Sequence, residues 1–283
     1  MNRDDVALMT RGVFPSISLM IHSSPHPSDS VPTTLRPLVV GHRGASDVAP
    51  ENTRSAIEAA ISGGCDGVEI DVQMTRGHVP ILYHDRTLHK INGRWARVAA
   101  QKTEQLRKLD WGKWYSPTFE GEKVLTLADV LKDYASRTRL FLEIKSHKAE
   151  RRSGHTLRLT NIVMEMLRSL VPDPSRRHVL LLSFDLDVLT HANRLDPKWR
   201  YVWNLENIDL SGLPDFISAI CVPVIKLSSH LVQEAHRMGR QVMTYTCNTP
   251  QQADLALATG PDVLMTDRPA WLVHYLNAGN ARL

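Results

Sequence analysis

The chain has 283 residues, 42% of them hydrophobic, and a formal net charge of +4, which allows one large α/β barrel or two smaller domains. The mild positive charge suits a small anionic partner, and the absence of any Lys/Arg block interleaved with aromatics excludes a nucleic-acid-binding arm. Three cysteines, Cys65, Cys221 and Cys247, are far apart and without metal-ligand spacing, so they read as reduced, structural residues in a cytosolic protein.

Residues 1–36 are crowded with Ser, Pro, His and Thr between Ser23 and Thr34 and carry no helical or strand period, which predicts a flexible arm. Within it, Val13–Ile21 is apolar but contains Pro15 and follows Asp4 and Asp5. It is too short to span a bilayer and lacks a basic leader, so neither membrane insertion nor a secretion signal is expected.

From Leu38 onward, short β-rich runs alternate with helix-length amphipathic segments. The strand Leu38–Gly41 leads into His42-Arg43-Gly44, and a helix follows over Thr53–Ile61, with Asn52 or Thr53 as its N-cap and Gly63-Gly64 as its stop. Next comes Gly67–Asp85. Side chains alternate across a strand, so Glu69 and Asp71 share one face and Val68, Ile70 and Val72 the other. The apolar run Val79–Tyr83 follows too closely for a parallel crossover, which predicts a hairpin. Centred on Thr75–His78, its turn would bring His84 opposite Glu69.

An aperiodic insertion rich in turn signals and aromatics occupies about 86–123. The helix Leu127–Ala135 and the strand Leu140–Lys145 come next, with Glu143 and Lys145 on one face. The pattern continues with helix Thr156–Leu170, strand Val179–Ser183, helix Leu186–Leu195, and strands Arg200–Trp203 and Ala219–Val222. It closes with helix Ser229–Met238, strand Gln241–Thr246, helix Pro250–Thr259, strand Val263–Thr266 and a last helix from Pro269. Between Leu205 and Phe216 the expected helix is short or absent. Counting parallel strands gives eight, which with the usual length of about 250 residues predicts a (β/α)8 TIM barrel, an α/β fold, over 37–283. A doubly wound sheet would want a Gly-rich phosphate turn after the first strand, and His42-Arg43-Gly44-Ala45 is not one.

In such a barrel, the site lies where the strands end. His42 and Arg43 end the first strand, Glu69 and Asp71 the second, and Glu143 and Lys145 the third, with His84 returning on the hairpin. Buried carboxylates are costly unless paired or metal-bound. Three of them without a cysteine suit a hard divalent cation, Mg²⁺ or Ca²⁺, rather than structural zinc. His42 and His84 supply an acid and a base near neutral pH, and Arg43 and Lys145 a clamp for an anionic group. This combination implies phosphoryl transfer.

The ordered set His42-Arg43-Gly44, Glu51-Asn52-Thr53, Glu69-Ile70-Asp71-Val72, His84-Asp85, Leu142-Glu143-Ile144-Lys145 and Thr266-Asp267-Arg268-Pro269 resembles the glycerophosphodiester phosphodiesterase family, in its short-insertion, cytosolic bacterial type. The resemblance covers essentially everything after the arm. It implies a TIM barrel and hydrolysis of a small-molecule glycerophosphodiester to glycerol 3-phosphate and an alcohol, within lipid and glycerol metabolism. It implies a divalent cation at the positions of Glu69, Asp71 and Glu143, and the acid/base pair at His42 and His84. The glycerol 2-hydroxyl would attack phosphorus to give a cyclic phosphate that water opens. Glu51 is expected near the metal or orienting Arg43, or else is a charge beside the first helix. Tyr245, in Tyr245-Thr246-Cys247-Asn248, stands where the family has Trp, and Leu125 and His89-Lys90-Ile91 also depart from its pattern. These changes bear on alcohol preference rather than on the reaction.

Lys148, Arg151, Arg152 and Arg158 form either an electropositive rim or a solvated helix start. Trp111 and Trp114 either line the leaving-group side or form a satellite core. Two other activities compete with the leading one: a lysophospholipid or sphingolipid phosphodiesterase or lyase, which needs an apolar groove, and a non-catalytic barrel that binds a phosphorylated ligand.

Overall fold

A computed structural model describes residues 36–280. Most of the 1–36 segment expected to be an arm therefore lies outside the described residues. Eight parallel strands close into a barrel: β1 (Leu38–His42), β2 (Gly67–Met74), β4 (Arg139–Ile144), β5 (Val179–Ser183), β6 (Arg200–Asn204), β7 (Ile217–Pro223), β8 (Gln241–Tyr245) and β9 (Val263–Thr266). Closure comes from β1, which pairs with both β2 and β9. β2 outruns its neighbour, so its Val72–Met74 stretch pairs antiparallel with the short β3 (Pro80–Leu82) beyond the rim.

That hairpin corrects one expectation. Val72 pairs with Leu82 and Met74 with Pro80, so the register is displaced by one residue and His84 does not lie opposite Glu69. The turn is a three-residue loop, Arg76-Gly77-His78. The His78 amide donates to the Thr75 carbonyl at 3.0 Å, and His78, not the glycine, takes the left-handed conformation at φ 61°.

Local chemistry explains the helices. In α1 (Arg54–Ser62) the Thr53 hydroxyl accepts from the Ala56 amide and Gly63 ends the last turn, so Thr53 is the cap and Asn52 is free for another task. Insertion residues form only short turns, α2 (His89–Asn92) and α3 (Thr103–Leu106) among them. A Thr126–Asp129 capping box starts α4 (Leu127–Tyr134). Then come α5 (Lys148–Arg152), unforeseen in the sequence, α6 (His155–Leu170), α7 (Leu186–Leu195) and α8 (Ser229–Arg237). α9 (Pro250–Thr259) opens with a Thr249–Gln252 box and closes on Gly260, and α10 is Pro269–Asn280. After β6 no helix forms over 205–216. Leu205, Leu210 and Leu213 are buried there instead and cover the strands in a helix's place.

Alternation splits the core in two. Val68, Ile70, Val72, Leu140 and Leu142 face outward to the helices, while Val40, Phe141, Leu180, Leu182, Ala219 and Met243 fill the barrel. An apolar plug thus seals the interior, and polar side chains crowd the carboxyl ends of β1, β2 and β4. The β1–α1 turn depends on Gly44, at φ +88°, where an added Cβ would fall 2.6 Å from the Ala56 backbone carbon. Gly44→Ala is expected to destabilise the protein by about 3 kcal/mol, from left-handed strain and overpacking together, which a denaturant midpoint would reveal.

Candidate active site

Register assembles the carboxylates. His42 is aligned with Glu69 across β1–β2 and Asp71 with Glu143 across β2–β4. All three acids are buried, and each offers an oxygen within 4.8 Å of the others. Lys145, just past β4, reaches Asp71 Oδ1 at 2.7 Å and Glu143 Oε1 at 2.6 Å. Arg43 adopts φ 59°, donates its backbone N–H to Glu69 Oε2 at 3.1 Å and its Nη1–H to Glu51 Oε2 at 3.2 Å. Its Nε lies 3.2 Å from Asp71 Oδ2. That is a close charge contact without hydrogen-bond alignment.

Asn52, also at φ 59°, is a functional residue that sequence reasoning misplaced. Its Nδ2 donates to Asp71 Oδ2 at 2.8 Å and its Oδ1 accepts from the Asp71 amide at 3.0 Å. The signal was the triplet Glu51-Asn52-Thr53, in which only Thr53 was needed for the cap. Glu51 bridges Arg43 and Lys90, at 3.2 and 2.8 Å. Of its alternatives, the contact with Arg43 is the one present, and it clusters with His84 and Asp85 rather than with the three buried acids.

The electrostatics are uneven. Burial, then the neighbouring Asp71 and Glu143 charges, push the Glu69 carboxyl well above the usual range. Burial also raises Glu143, outweighing Lys145. For Asp71 burial is overcome by Lys145 and Arg43, which hold it well below that range. Glu69 Oε1 is buried with no hydrogen-bond partner. An oxygen-only donor set with one orphaned carboxylate oxygen and negative charge in excess fits a hard divalent cation.

Each histidine is anchored through Nδ1. His42 Nδ1 lies 2.7 Å from Asp267 Oδ1, and Asp267 also accepts from Asn248 Nδ2 at 2.6 Å. Burial pushes the Asp267 carboxyl up, but the bonds from His42 and Asn248 outweigh this and hold it below its ordinary value. His84 Nδ1 lies 2.9 Å from Asp85 Oδ1, and Lys90 Nζ lies 3.3 Å from Asp85 Oδ2. Burial lowers the His84 pKa; Asp71 opposes this, and Lys145 and Arg43 reinforce it. Facing carboxylates, both rings carry the hydrogen on Nδ1 and leave Nε2 for chemistry. Asp267 and Asn248 had no assigned role in the sequence, although both belong to motifs at the ends of β8 and β9.

Two cavities meet at His42 and Arg43. One, of about 370 Å³, is polar and is lined by Ser46, Asp47, Glu51 and Arg268 among others. The second, of about 180 Å³, is lined by His84, Lys145, Glu69 and Glu143, by the polar Asn204 and Thr246, and by Leu182, Phe184, Cys221, Tyr245 and Met265. Tyr245 therefore forms cavity wall, edge-to-face with Phe184 at 6.4 Å. Trp111 belongs to a satellite core with Ile81, Tyr83 and Leu106, and Trp114 lies under Lys90 Nζ at 5.1 Å; neither lines these cavities. Arg151 pairs with Asp185 at 2.9 Å, and Arg158 Nη1 lies 3.1 Å from His78 Nε2.

The model of the glycerophosphoryl diester phosphodiesterase family matches residues 42–271. Among curated proteins, YhdW of Bacillus subtilis (strain 168) is 29% identical over 245 residues, covering 83% of this chain and 96% of its own. The glycerophosphodiester phosphodiesterase of Caldanaerobacter subterraneus subsp. tengcongensis is 26% identical over 261 residues, covering 87% of this chain and 100% of its own. In fold, the chain is similar to a phosphodiesterase of Oleispira antarctica solved with the product sn-glycerol-3-phosphate. That likeness has a TM-score of 0.76 at 23% identity and covers 86% of this chain and 98% of that one.

Proposed function

Since the chain belongs to the glycerophosphoryl diester phosphodiesterase family, we propose that it hydrolyses small-molecule glycerophosphodiesters to glycerol 3-phosphate and an alcohol. Residues 37–283 are then the catalytic barrel and about 86–123 its insertion. The observation that carries this reading is the pair of Nδ1-anchored histidines, His42 on Asp267 and His84 on Asp85, lining one cavity with Glu69, Glu143 and Lys145. Three free thiols support a reducing, cytoplasmic setting. Among the described residues no helix is long and apolar enough to cross a membrane.

Glu69, Asp71 and Glu143 would hold a divalent cation, Mg²⁺ or Ca²⁺, whose chemistry when bound is charge neutralisation at the phosphate oxygens. Arg43 and Lys145 are fixed in advance by their carboxylate partners, so they neutralise the phosphate without reorganising during reaction. Burial favours the neutral form of His84, which suits its Nε2 to take the proton of the glycerol 2-hydroxyl as that oxygen attacks phosphorus. His42, held by Asp267, delivers a proton from Nε2 to the departing alkoxide. Water then opens the cyclic phosphate with the roles reversed.

A diester of propane-1,3-diol, which lacks the 2-hydroxyl, is expected to be inert while glycerophosphoethanolamine is cleaved; equal turnover of the two would exclude the cyclic route. Asp267→Asn is expected to lower kcat by about 10²-fold or more with little change in KM, since the amide no longer enforces the Nδ1–H tautomer of His42. A variant with unchanged kcat and pH profile would remove Asp267 from this role.

A further inference from the structure

The insertion after β3 reaches back into the site through one side chain. Lys90 sits on the single turn α2, which closes where the Gly93 amide donates to the His89 carbonyl at 2.8 Å. Its Nζ lies 2.8 Å from Glu51 Oε1 and 3.3 Å from Asp85 Oδ2, over the Trp114 ring. Each of these carboxylates turns its other oxygen to a group that serves the substrate. Glu51 Oε2 accepts from Arg43 Nη1 at 3.2 Å, and Asp85 Oδ1 lies 2.9 Å from His84 Nδ1. The terminal torsion of a carboxylate side chain is broad and two-fold, so a carboxylate bonded at one oxygen swings and takes its partner with it. Bonded at both, it is a fixed strut. An ammonium has three donor hydrogens and no plane to satisfy, so one Lys90 holds two carboxylates of different orientation while its charge rests on the indole.

Lys90 has a firm base. Trp114 Nε1 donates to the Trp111 carbonyl at 2.9 Å, and Trp111 is buried in the satellite core. The adjoining Tyr115 hydroxyl donates to the Asp47 carbonyl at 2.6 Å, and Glu122 Oε2 accepts from Ser55 Oγ at 2.8 Å. The insertion is thus bonded to the segment between β1 and α1 at Asp47, Glu51 and Ser55, around the loop that carries Arg43 and Asn52. We propose that Lys90 is a positioning residue that couples the two working parts of the site, holding the His84 imidazole through Asp85 and the Arg43 guanidinium through Glu51, so that the insertion serves the reaction as a brace. The inference rests on the phosphodiesterase reading above. Lys90 lines neither cavity, so it acts on substrate through these partners. A histidine that drifts loses the aim of its Nε2 on the hydroxyl proton, which slows the chemical step. An arginine that drifts weakens its grip on phosphate in substrate and product alike.

Lys90→Met keeps an apolar stem over Trp114 and removes both bonds. With glycerophosphocholine and Mg²⁺ or Ca²⁺, kcat is expected to fall about tenfold or more. The Kd for glycerol 3-phosphate, read by calorimetry, is expected to rise about fivefold, as for one lost hydrogen bond. The same substitution is then made on two backgrounds. On Asp85→Asn its further effect on kcat should shrink below about twofold while the effect on glycerol 3-phosphate binding persists, and on Glu51→Gln the binding effect should vanish while a loss of kcat persists. Losses of equal size on every background, or losses that follow a fall in Tm, would mean that Lys90 only stabilises the insertion, and the inference falls. It falls equally if Lys90→Met matches the wild type. A wild type that releases no choline overturns the underlying phosphodiesterase reading instead.

Discussion

His42→Ala and His84→Ala are each expected to lower kcat by roughly 10²–10⁴-fold, the usual contribution of a positioned acid or base. Both rings are part-exposed at the mouth of the barrel and bond through Nδ1 to a single carboxylate, so the unfolding midpoint should move little. Because proton removal and proton delivery serve one step, the double variant should cost far less than the product of the two losses. A neutral base gains activity as pH rises through its pKa. Burial lowers that pKa for His84, so the acidic limb of kcat/KM should lie below the ordinary histidine value of about 6.5 and vanish from the residual activity of His84→Ala. If both single variants keep near-full turnover, the acid/base assignment fails and a binding-only barrel becomes the better description.

Glu69→Gln should separate activity from stability. Without the charge that completes the three-carboxylate set, kcat is expected to fall by roughly 10³-fold, the worth of several kcal/mol of charge stabilisation. Yet the metal-free variant should be at least as stable as the wild type. Glu69 is buried, repelled by Asp71 and Glu143, and has an oxygen without a partner. Its folded pKa is raised, so its contribution to stability is fully present below the unfolded value of about 4.3 and is lost as pH rises through the folded pKa. Metal-free wild type should therefore lose stability relative to Glu69→Gln as pH rises from about 4 toward neutrality. Added Mg²⁺ or Ca²⁺ should raise the wild-type Tm by mass action and leave that of the variant unchanged. Equal metal responses in the two proteins would remove Glu69 from the ligand set.

Much of the barrel was legible because it rests on short-range rules. Short apolar runs located β5 and β9 to the residue, and amphipathic periodicity bounded the helices it found to within one or two. What failed depended on backbone choices without a strong local cue. A turn centred on Thr75–His78 was expected to set His84 opposite Glu69, but the loop is Arg76-Gly77-His78 with His78 left-handed, and the register is displaced by one residue. Asn52 resembled a cap until its side chain was seen bonded twice to Asp71.

The acid cluster was readable from two strands because alternation alone puts Glu69, Asp71 and Glu143 indoors. The carboxylate that anchors His42 was not. Asp267 lies 225 positions from His42, and only barrel closure, with β9 beside β1, makes them neighbours. Eight strands imply that closure, so the motif ending β9 could have been assigned to the site on topology alone.

The most direct test is glycerol 3-phosphate release from glycerophosphocholine by protein stripped with EDTA and then given Mg²⁺ or Ca²⁺. Release that EDTA abolishes and either cation restores is the predicted result, whereas release undiminished by EDTA, or none with either cation, would contradict a phosphodiesterase centred on Glu69, Asp71 and Glu143.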